Sequence, residues 1–481
     1  MDPVLLSDLE SLPRSKKEEA IMFMAEKARR SFKDYCCYVD PVYEVPRHLE
    51  LLIHELENVE RGEVRRLMVF EPPRHGKTET VSKKFPGWFI GRRPDQNVIL
   101  SSYSYSLVKD YSRNVRDTIE SPLYKIAFNI TTAQDARAIC DWDVADHRGG
   151  LLAQSVGGAI TGYGAHLFII DDPFKNMQEA ESANNRALVW DWYRSVALTR
   201  LEPDSRIVLV MTRWYRDDLA GRIMDNEKDW KIINLPAIAE GNDQMGRLPG
   251  EALWPERFPV EALAEKKLKV GTRVWAALFQ GQPMDPESQR FKREWFQWYD
   301  NAPVDILKRG AGIDTATSMK SVNDNTSLVD VIRGLDKKIY VDDVFLEKIT
   351  VSGFGRYLVN QQKCNHYSSI KLEKNNAGEA FRQRIVELGM EHSVTFPIDC
   401  QATSTDKMVR AMEFQPLIEN GTMMFKRGNP RVAALVEHLI NFDGTGSDID
   451  DDVDALGFAV KSVWDASFSS FDAMSMAMGG R

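Results

Sequence analysis

The segment Glu71-Pro-Pro-Arg-His-Gly-Lys-Thr78, directly after the apolar run Leu67-Met-Val-Phe70, constrains the fold of this chain more than any other feature. A Gly-Lys-Thr triplet between a strand and a helix is typical of a phosphate loop, in which backbone N–H groups surround phosphate oxygens. The lysine reaches the outer phosphates and the threonine hydroxyl binds Mg²⁺. Glu71 stands where the usual pattern has glycine. A chance Gly-Lys-Thr in a turn therefore remains an alternative to a nucleotide site.

Short apolar runs alternate with longer amphipathic stretches from about residue 64 to residue 236. The runs are Arg66–Phe70, Asn97–Ser101, Leu167–Ile170, Arg206–Met211 and Trp230–Leu235. Fully apolar short strands separated by segments of helix length predict a parallel sheet that is covered on both faces. The phosphate loop then follows one strand of this sheet.

Polar groups follow two more of these strands. Asp171 and Asp172 end the apolar run Leu167–Ile170, and Thr212 follows Met211. In a phosphate-transfer site one carboxylate holds the metal and a second group orients the attacking water. Thr212 stands where a γ-phosphate sensor would lie. The alternatives are a buried strand that runs into an Asp-Pro turn, and a threonine that only caps a strand end.

A second group of carboxylates occupies the C-terminal third. Asp314 is predicted inside the strand Gly310–Asp314, and Glu373 ends the alternating strand Ser369–Glu373. Asp451 and Asp454 are three residues apart in an acidic cluster, so they can share one helix face. Cleavage of a phosphodiester by two metals requires carboxylates that hold cations about 3.5–4 Å apart. The cluster has two alternative interpretations, an acidic helix N-cap and a calcium-type loop.

The length of 481 residues predicts several domains rather than one core. The predicted parts are an N-terminal helical segment (1–40), a phosphate-loop domain (41–240), a connector (241–300), a second domain (301–465) and a flexible tail (466–481). One helix is predicted at 15–35 in the N-terminal segment. Another is predicted from Pro259 to Val270 in the connector. In the second domain, strands at Gly310–Asp314, Ser327–Ile332, Lys338–Phe345 and Ser369–Glu373 precede a final helix near 452–465. The predicted fold class is α/β with two sheets.

Composition and charge exclude several classes of protein. A net charge of −9 argues against a protein that coats nucleic acid through bulk positive charge. No run approaches the roughly 18 apolar residues of a membrane span, and the N-terminus lacks the pattern of an export signal. The five cysteines show no spacing typical of a metal site or a disulfide framework. We therefore expect a protein of a reducing cytoplasm without membrane partners.

With these residues together, the chain resembles the large terminase subunit of tailed bacteriophages from about residue 40 to residue 465. In the first half the resemblance depends on Pro73–Thr78, Ile169–Pro173 and Thr212–Gly221. In the second half it depends on Gly312–Asp314, Glu373 with Gly378, Asp406–Ala411 and Asp451–Leu456. The resemblance implies an ATPase core of the phosphate-loop type followed by a ribonuclease H-like nuclease domain with a mixed sheet.

The resemblance also implies residue roles. Arg74, His75, Gly76, Lys77, Thr78, Asp171 and Thr212 would bind ATP, with Thr78 and Asp171 on Mg²⁺ and Asp172 on the attacking water. Asp314, Glu373 and Asp454, with Asp451 as an auxiliary ligand, would bind Mg²⁺ or Mn²⁺ for DNA cleavage. Lys407 and Arg410 would lie near the DNA or form surface salt bridges. Asp450 stays an alternative ligand.

The segment Gly157–Gly164 resembles a family stretch that often has arginine where Tyr163 stands. Arg148 is therefore the candidate for an arginine finger, and a solvated surface arginine is the alternative. The implied partners are double-stranded DNA, a capsid portal protein and a small terminase subunit, with a ring of copies on the portal. The implied location is the cytoplasm of the infected bacterial host.

Two other functions fit part of the pattern. A helicase-nuclease of DNA repair would use both chemistries, but it requires a second motor domain, and no second Gly-Lys-Thr/Ser loop occurs. A scaffold without enzymatic activity would not need Lys77, Asp171 and Asp314.

Overall fold

The computed structural model describes residues 13–284, 291–314, 326–374, 376–401, 407–442 and 451–464. The chain forms two compact units. The first comprises Met1–Ala264 with Val274–Met284, and the second comprises Glu265–Arg273 with Asp285–Arg481. Each unit contains one sheet.

The helices of the first unit are α1 (Arg14–Arg30), α2 (Phe32–Val39), α3 (Arg47–Arg61), α4 (Phe85–Arg92), α5 (Tyr105–Glu120), α6 (Pro122–Phe128), α7 (Met177–Glu181), α8 (Ala183–Trp192) and α9 (Leu219–Asn226). Its strands are β1 (Arg66–Phe70), β2 (Val98–Ser102), β3 (Thr132–Arg137), β4 (Asp141–Val144), β5 (Gly150–Ser155), β6 (Ala165–Asp171), β7 (Leu201–Met211) and β8 (Lys231–Asn234). Short π-helical turns occupy Glu79–Lys84, Tyr193–Ala197 and Trp275–Phe279.

The first sheet has the strand order β3-β4-β5-β2-β6-β7-β1-β8, and its neighbouring strands from β5 to β8 are parallel. All five predicted strands are present. The sequence prediction missed β3, β4 and β5, of which β3 and β4 form an antiparallel edge. These strands lie away from the sheet centre, so they carry polar residues such as those of Thr132–Arg137 and lack a continuous apolar run.

The predicted single helix over residues 15–35 is two helices. Ser31 has extended backbone angles between α1 and α2, and its hydroxyl accepts a hydrogen bond from the Asp34 amide at 3.2 Å. The serine is an N-cap, which stabilises a helix start and interrupts the preceding helix. Ala28 and Phe32, from either side of this break, are fully buried in the core of the first unit. The N-terminal helices therefore pack against the sheet domain.

The helix α10 (Val260–Val274) begins in the first unit, and its residues 265–273 belong to the second; Gly271 interrupts its helical angles. The other helices of the second unit are α11 (Val351–Asn365), α12 (Asn376–Glu391), α13 (Lys407–Glu419), α14 (Pro430–Asn441) and α15 (Asp451–Val463). Its strands are β9 (Gln297–Tyr299), β10 (Ile306–Asp314), β11 (Thr326–Gly334), β12 (Ile339–Glu347), β13 (Ser369–Glu373), β14 (Ile398–Gln401) and β15 (Met423–Lys426).

The second sheet has the order β14-β13-β10-β11-β12-β15-β9. The central strand β11 is antiparallel to both of its neighbours, β10 and β12, whereas the other neighbouring pairs are parallel. One face packs on α13, α14 and α15, and the other packs on α11 and α12. The predicted fold class, a parallel-type α/β sheet followed by a mixed sheet, is confirmed.

Residues 315–325, which follow Asp314, lie outside the described residues, so the predicted position of Asp314 inside its strand stays a prediction. The sequence prediction missed β9, β14 and β15, each only three or four residues long as described. Within the described residues, no helix is long and apolar enough to cross a membrane. All five cysteines are free thiols.

Candidate nucleotide and metal sites

Lys77 is the centre of the polar groups in the first unit. Its side chain is 7% exposed, and its Nζ donates a hydrogen bond to Thr212 Oγ1 and lies 3.6 Å from Asp172 Oδ2. The strands β6, β7 and β1 are adjacent and parallel, so Asp172, Thr212 and the loop after β1 all leave the same edge of the sheet. The structure thus brings together the lysine, the carboxylate and the threonine that the sequence placed on separate strands.

Asp171 lies beside the start of the helical turn that follows the loop. Its Oδ1 lies 3.4 Å from Thr78 Oγ1, and its Oδ2 accepts a hydrogen bond of 2.6 Å from Ser82 Oγ. Burial, followed by the charge of Asp172, raises the pKa of Asp171 to about 7. A buried carboxylate next to a threonine hydroxyl is a donor set that fits Mg²⁺. Sequence reasoning missed Ser82, although it stands four residues after Thr78 on the same helical face.

Asp172 is held in an unusual backbone conformation. Its φ is +42°, a region that residues other than glycine rarely adopt, and the Thr212 amide donates to its Oδ1 at 2.7 Å. Such a residue persists only when its surroundings fix it. The hydrogen bond and the proximity of Lys77 supply that fixation, so the carboxylate is aimed at the phosphate loop.

The loop residues before Lys77 differ in exposure. Arg74 is exposed with a φ of +64°, whereas His75 is 1% exposed and its ring stacks on Phe258 with centroids 4.6 Å apart. Burial lowers the pKa of His75 to about 3. Gly76 has a φ of +106°, and an added Cβ would lie 2.8 Å from Leu49 Cδ1. The histidine ring therefore faces the protein, and only its backbone can contact a phosphate.

Glu71 places a buried carboxyl group at the start of the loop. It is 2% exposed, and both of its carboxyl oxygens are buried. Burial raises the pKa of Glu71 to about 8, against the opposite effect of Lys77. The neutral, protonated form is therefore favoured in the fold.

We expect Glu71→Gln to stabilise the protein at high pH. Because the folded pKa exceeds the unfolded value, the folded state holds this proton more tightly, and the charged form lowers the free energy of unfolding as pH rises from about 4.5 to about 8. The free energy of unfolding of the variant should exceed that of the wild type by at most roughly 5 kcal/mol above pH 8, and by progressively less toward acid pH. Urea unfolding at pH 6 and pH 9 measures this, with the exposed Glu63→Gln as control. A difference that is independent of pH would contradict it.

The segment after β7 holds Thr212 in place. Arg213 is buried and donates from Nε to both oxygens of Asp218, at 3.0 and 2.8 Å. Asp218 is fully buried and caps α9 by accepting from the Gly221 amide at 2.9 Å. An added Cβ on Gly221 would lie 1.8 Å from the Arg216 carbonyl oxygen. Arg213, Asp218 and Gly221, on which the family resemblance depends here, therefore fix the conformation of the segment that follows Thr212.

Arg148, the candidate arginine finger, lies at the other edge of the sheet. It precedes β5, which runs parallel to β2, so it lies at the amino-terminal ends of the strands, away from the phosphate loop of its own chain. Its amide donates to Asp95 Oδ1 at 3.1 Å. The segment Gly157–Gly164 follows β5 and lies at the same edge as the loop. A role for Arg148 at the site of another copy stays a prediction.

The packing of α15 on β10 builds the second candidate site. An added Cβ on Gly310 would lie 2.1 Å from Ser462 Oγ, and one on Gly312 would lie 2.0 Å from the Ala455 carbonyl oxygen. The two glycines share one face of the strand because side chains alternate, and Asp314 is the next residue on that face. Successive positions on β10 thus meet progressively earlier residues of α15. Asp314 accordingly faces the start of this helix.

Glu373 reaches the same place from the neighbouring strand. The strands β10 and β13 are parallel, with Ile313 opposite Leu372. Both of these residues are buried against α11 and α12, so the next residues, Asp314 and Glu373, point to the α15 side of the sheet. The register thus places Glu373 beside Asp314.

Charge repulsion connects the four predicted metal ligands. Burial, followed by the charges of Asp454, Asp451 and Glu373, raises the pKa of Asp314 well above its ordinary value, and Lys407 opposes this effect. Carboxylate oxygens are the ligands that Mg²⁺ and Mn²⁺ prefer. The donor set therefore fits a divalent cation. Asp450 lies outside the described residues.

In this structure, Asp454 is paired with the positively charged side chains of two residues from α13. Arg410 donates to both of its oxygens, and Lys407 Nζ lies 3.6 Å from Oδ2. Among the residues that the structure describes, no three His, Cys, Asp or Glu side chains are grouped closely enough to hold a metal ion. The site thus has the ligands for a metal, with one of them turned toward an arginine.

A further residue of the predicted acidic cluster, to which the sequence analysis assigned no role of its own, pairs with a histidine. Asp452 is 1% exposed, and its Oδ2 lies 2.6 Å from His438 Nδ1 on α14. The carboxylate raises the pKa of His438. Because Asp452 joins α15 to α14, it holds the helix whose other face carries Asp451 and Asp454.

We expect Gly312→Ala to destabilise the second unit and displace its carboxylates. The added methyl would lie 2.0 and 2.1 Å from backbone atoms of Ala455 and Ala459, so α15 would have to move. Overpacking of this kind costs about 1–3 kcal/mol. Thermal unfolding measures the loss. The matched control is Gly457→Ala on α15, where an added Cβ meets Phe414 only at 3.7 Å. Equal midpoints in the two variants would contradict the packing argument.

Comparison with solved structures gives distant resemblances to terminases. A large terminase from a thermophilic bacteriophage is 9% identical and has a TM-score of 0.48, over 85% of this chain and 98% of that chain. The HK97 bacteriophage large terminase is 11% identical with a TM-score of 0.29, over 82% and 90%. The large terminase nuclease from thermophilic phage G20c, solved with bound zinc, is 15% identical with a TM-score of 0.26, over 35% and 94%. These values are too low to transfer residue roles.

The family comparison is more direct. No curated protein matches the sequence significantly. Residues 68–298 match the family described as terminase large subunit, T4-like virus type, N-terminal. This range begins in β1 and includes Lys77, Asp171 and Thr212. By this match, residues 68–298 of the chain are similar to the N-terminal part of the terminase large subunit family.

Proposed function

We propose that this protein is a phage DNA-packaging motor that hydrolyses ATP to move double-stranded DNA into a procapsid and cuts concatemeric DNA at a second, metal-dependent site. The observation that carries the proposal is the presence of two separate polar constellations, one on each sheet of the chain. Lys77, Asp172 and Thr212 meet at the first sheet. Asp314 and the acidic helix α15 meet at the second.

At the first sheet, the exposed Arg74 and the backbone of His75 and Gly76 would surround the phosphates of ATP. Lys77 would contact the β- and γ-phosphates, because its ammonium already lies among groups that face the loop. Thr78 and Asp171 would hold Mg²⁺, which neutralises phosphate charge when bound. Asp172 would orient the attacking water and Thr212 would detect the γ-phosphate. The fixed backbone of Asp172 supports this assignment.

At the second sheet, Asp314, Glu373 and Asp454, with Asp451 as an auxiliary ligand, would hold Mg²⁺ or Mn²⁺ in a ribonuclease H-like nuclease domain. A divalent cation there would polarise the phosphodiester and lower the pKa of a water. The role of the chain is to keep these carboxylates together in spite of their repulsion, through the close packing of α15 on β10. The domain limits 41–240 and 301–465 remain part of this proposal.

The proposed partners follow from the family. We propose that several copies form a ring on a capsid portal in the host cytoplasm and receive DNA with a small terminase subunit. The segment 466–481, predicted as a flexible tail, lies outside the described residues. Lys407 and Arg410 both contact Asp454, and we propose that they lie near a DNA backbone that approaches the carboxylates.

Two assays of the purified full chain test the proposed function. ATP hydrolysis is measured with and without double-stranded DNA, and supercoiled plasmid is digested with Mg²⁺, Mn²⁺ or EDTA. The proposal expects ATP turnover and metal-dependent plasmid cutting. An absence of ATP turnover by the folded chain with any DNA would contradict the proposed motor function. Plasmid cutting in EDTA would contradict a metal-dependent nuclease.

A further inference from the structure

The contact between Arg410 and Asp454 is specific in geometry. Arg410 Nε and Nη2 donate to Asp454 Oδ1 at 2.9 and 2.7 Å, and Nη2 also donates to Oδ2 at 2.8 Å. A guanidinium that donates to both oxygens of a carboxylate forms one of the strongest ion pairs in proteins. Both oxygens of a predicted metal ligand are thereby directed to an internal cation.

Burial strengthens this pair. The Asp454 side chain is 6% exposed and the Arg410 side chain is 14% exposed, so water screens their attraction weakly. Lys407 lies one helical turn before Arg410 on α13, with its Nζ 3.6 Å from Asp454 Oδ2. Two cations from one helix thus contact Asp454, and one of them, Lys407, also opposes the charges that Asp454, Asp451 and Glu373 exert on Asp314.

We infer that Arg410 and a divalent cation are alternative partners of Asp454, so that Arg410 sets the metal affinity of the carboxylate site. This inference rests on the proposed nuclease function and concerns the regulation of the same site. Two groups of positive charge repel each other at one carboxylate. A cation that binds Asp454 must therefore displace the guanidinium from at least one oxygen.

The arrangement of the carboxylates agrees with this competition. Among the described residues, no three acidic, His or Cys side chains are grouped as a metal site, although Asp454, Asp451 and Glu373 all act on Asp314. The carboxylates are thus near one another but not assembled, and Asp454 is the one directed to an arginine. Withdrawal of Arg410 is the step that would complete the ligand group.

Metal binding by the full chain tests the inference without relying on activity. The variant Arg410→Gln removes the charge and the two-pronged contact, and Arg384→Gln is the matched control, since Arg384 is an exposed partner of Glu387 on α12. Mn²⁺ is titrated in the absence of nucleotide and DNA, with calorimetry and electron paramagnetic resonance as readouts. Titration of Asp314→Asn defines the binding that does not belong to this site.

We expect Arg410→Gln to bind Mn²⁺ at the Asp314-dependent site roughly tenfold or more tightly than the wild type, which corresponds to removal of a competing charged contact. Its thermal midpoint without metal should be lower than that of the wild type, and Mn²⁺ should raise it by more. Arg384→Gln should match the wild type in both measurements. If Arg410→Gln does not fold, Arg410→Lys keeps the charge without the two-pronged contact and should show a smaller gain in affinity.

The outcomes separate the inference from the proposed function. Equal or weaker Mn²⁺ binding in a folded Arg410 variant, with Asp314-dependent binding in the wild type, would overturn the competition and leave the nuclease in place. An absence of Asp314-dependent Mn²⁺ binding in wild type and variant alike would instead overturn the nuclease site. Tighter binding in the Arg410 variant only would support the inference.

Discussion

Lys77→Ala is expected to lower the rate of ATP hydrolysis by at least about 100-fold, in the range seen when a preorganised charge is removed from a transition state. The ammonium donates to Thr212 and lies 3.6 Å from Asp172, so it joins the loop to the ends of β7 and β6. Its loss removes the cation that the proposal assigns to the γ-phosphate. The measurement is phosphate release from ATP with saturating double-stranded DNA.

A control separates this effect from a general loss of charge. Lys125→Ala removes an exposed lysine of the same unit, which pairs with Glu120 at 2.9 Å, and should leave ATP hydrolysis unchanged. Lys77→Ala also leaves Asp172 without its nearby cation, so a modest change in thermal midpoint is expected. Retention of more than a tenth of the wild-type rate by a folded Lys77→Ala would contradict the assignment of the phosphate loop.

Asp314→Asn is expected to lower metal-dependent cutting of supercoiled plasmid by roughly 100-fold or more, by analogy with the loss of other groups that act directly at a reacting centre. The substitution preserves shape and removes a charge at the point where β10, β13 and α15 meet. Without metal, the same variant should be at least as stable as the wild type, because the wild-type carboxylate of Asp314 is buried and is repelled by Asp454, Asp451 and Glu373.

The variant is expected to lose plasmid cutting without losing thermal stability, and this combination separates a functional role from a structural one. A loss of cutting together with an unchanged or higher thermal midpoint indicates a functional carboxylate, because a purely structural one would lower both. Asp336→Asn, at a carboxylate in the β11–β12 turn that bonds to Tyr340, is the control and should cut plasmid at the wild-type rate. A wild-type rate of plasmid cutting by Asp314→Asn would contradict the assignment of Asp314 as a metal ligand.

Much of the first sheet could be predicted because its central strands are buried on both faces. The runs around Phe70, Ile170 and Met211 contain almost no polar residue until the strand ends, so the polar residues that follow stand out as site candidates. Parallel strands then bring those ends to one edge. The edge strands β3 and β4 lack this signal, since polar and apolar residues mix along them.

The second site was less accessible to sequence reasoning. Asp314, Glu373 and Asp454 are far apart in the chain, and only the parallel register of β13 and the packing of α15 bring them together. Gly310 and Gly312 carried an unused signal, because alternate glycines on a strand indicate close approach of another backbone. The partner of Arg410 could not be derived, since surface and buried arginines have the same local pattern.

The independence of the two sites is the central claim, and one experiment tests it most directly. ATP hydrolysis and plasmid cutting are measured in parallel for the wild type, Lys77→Ala and Asp314→Asn, with folding checked by thermal unfolding. The account predicts that Lys77→Ala loses hydrolysis and retains cutting with metal in the absence of ATP, and that Asp314→Asn shows the reverse. Loss of both activities in either folded variant, or of neither in both, would contradict it.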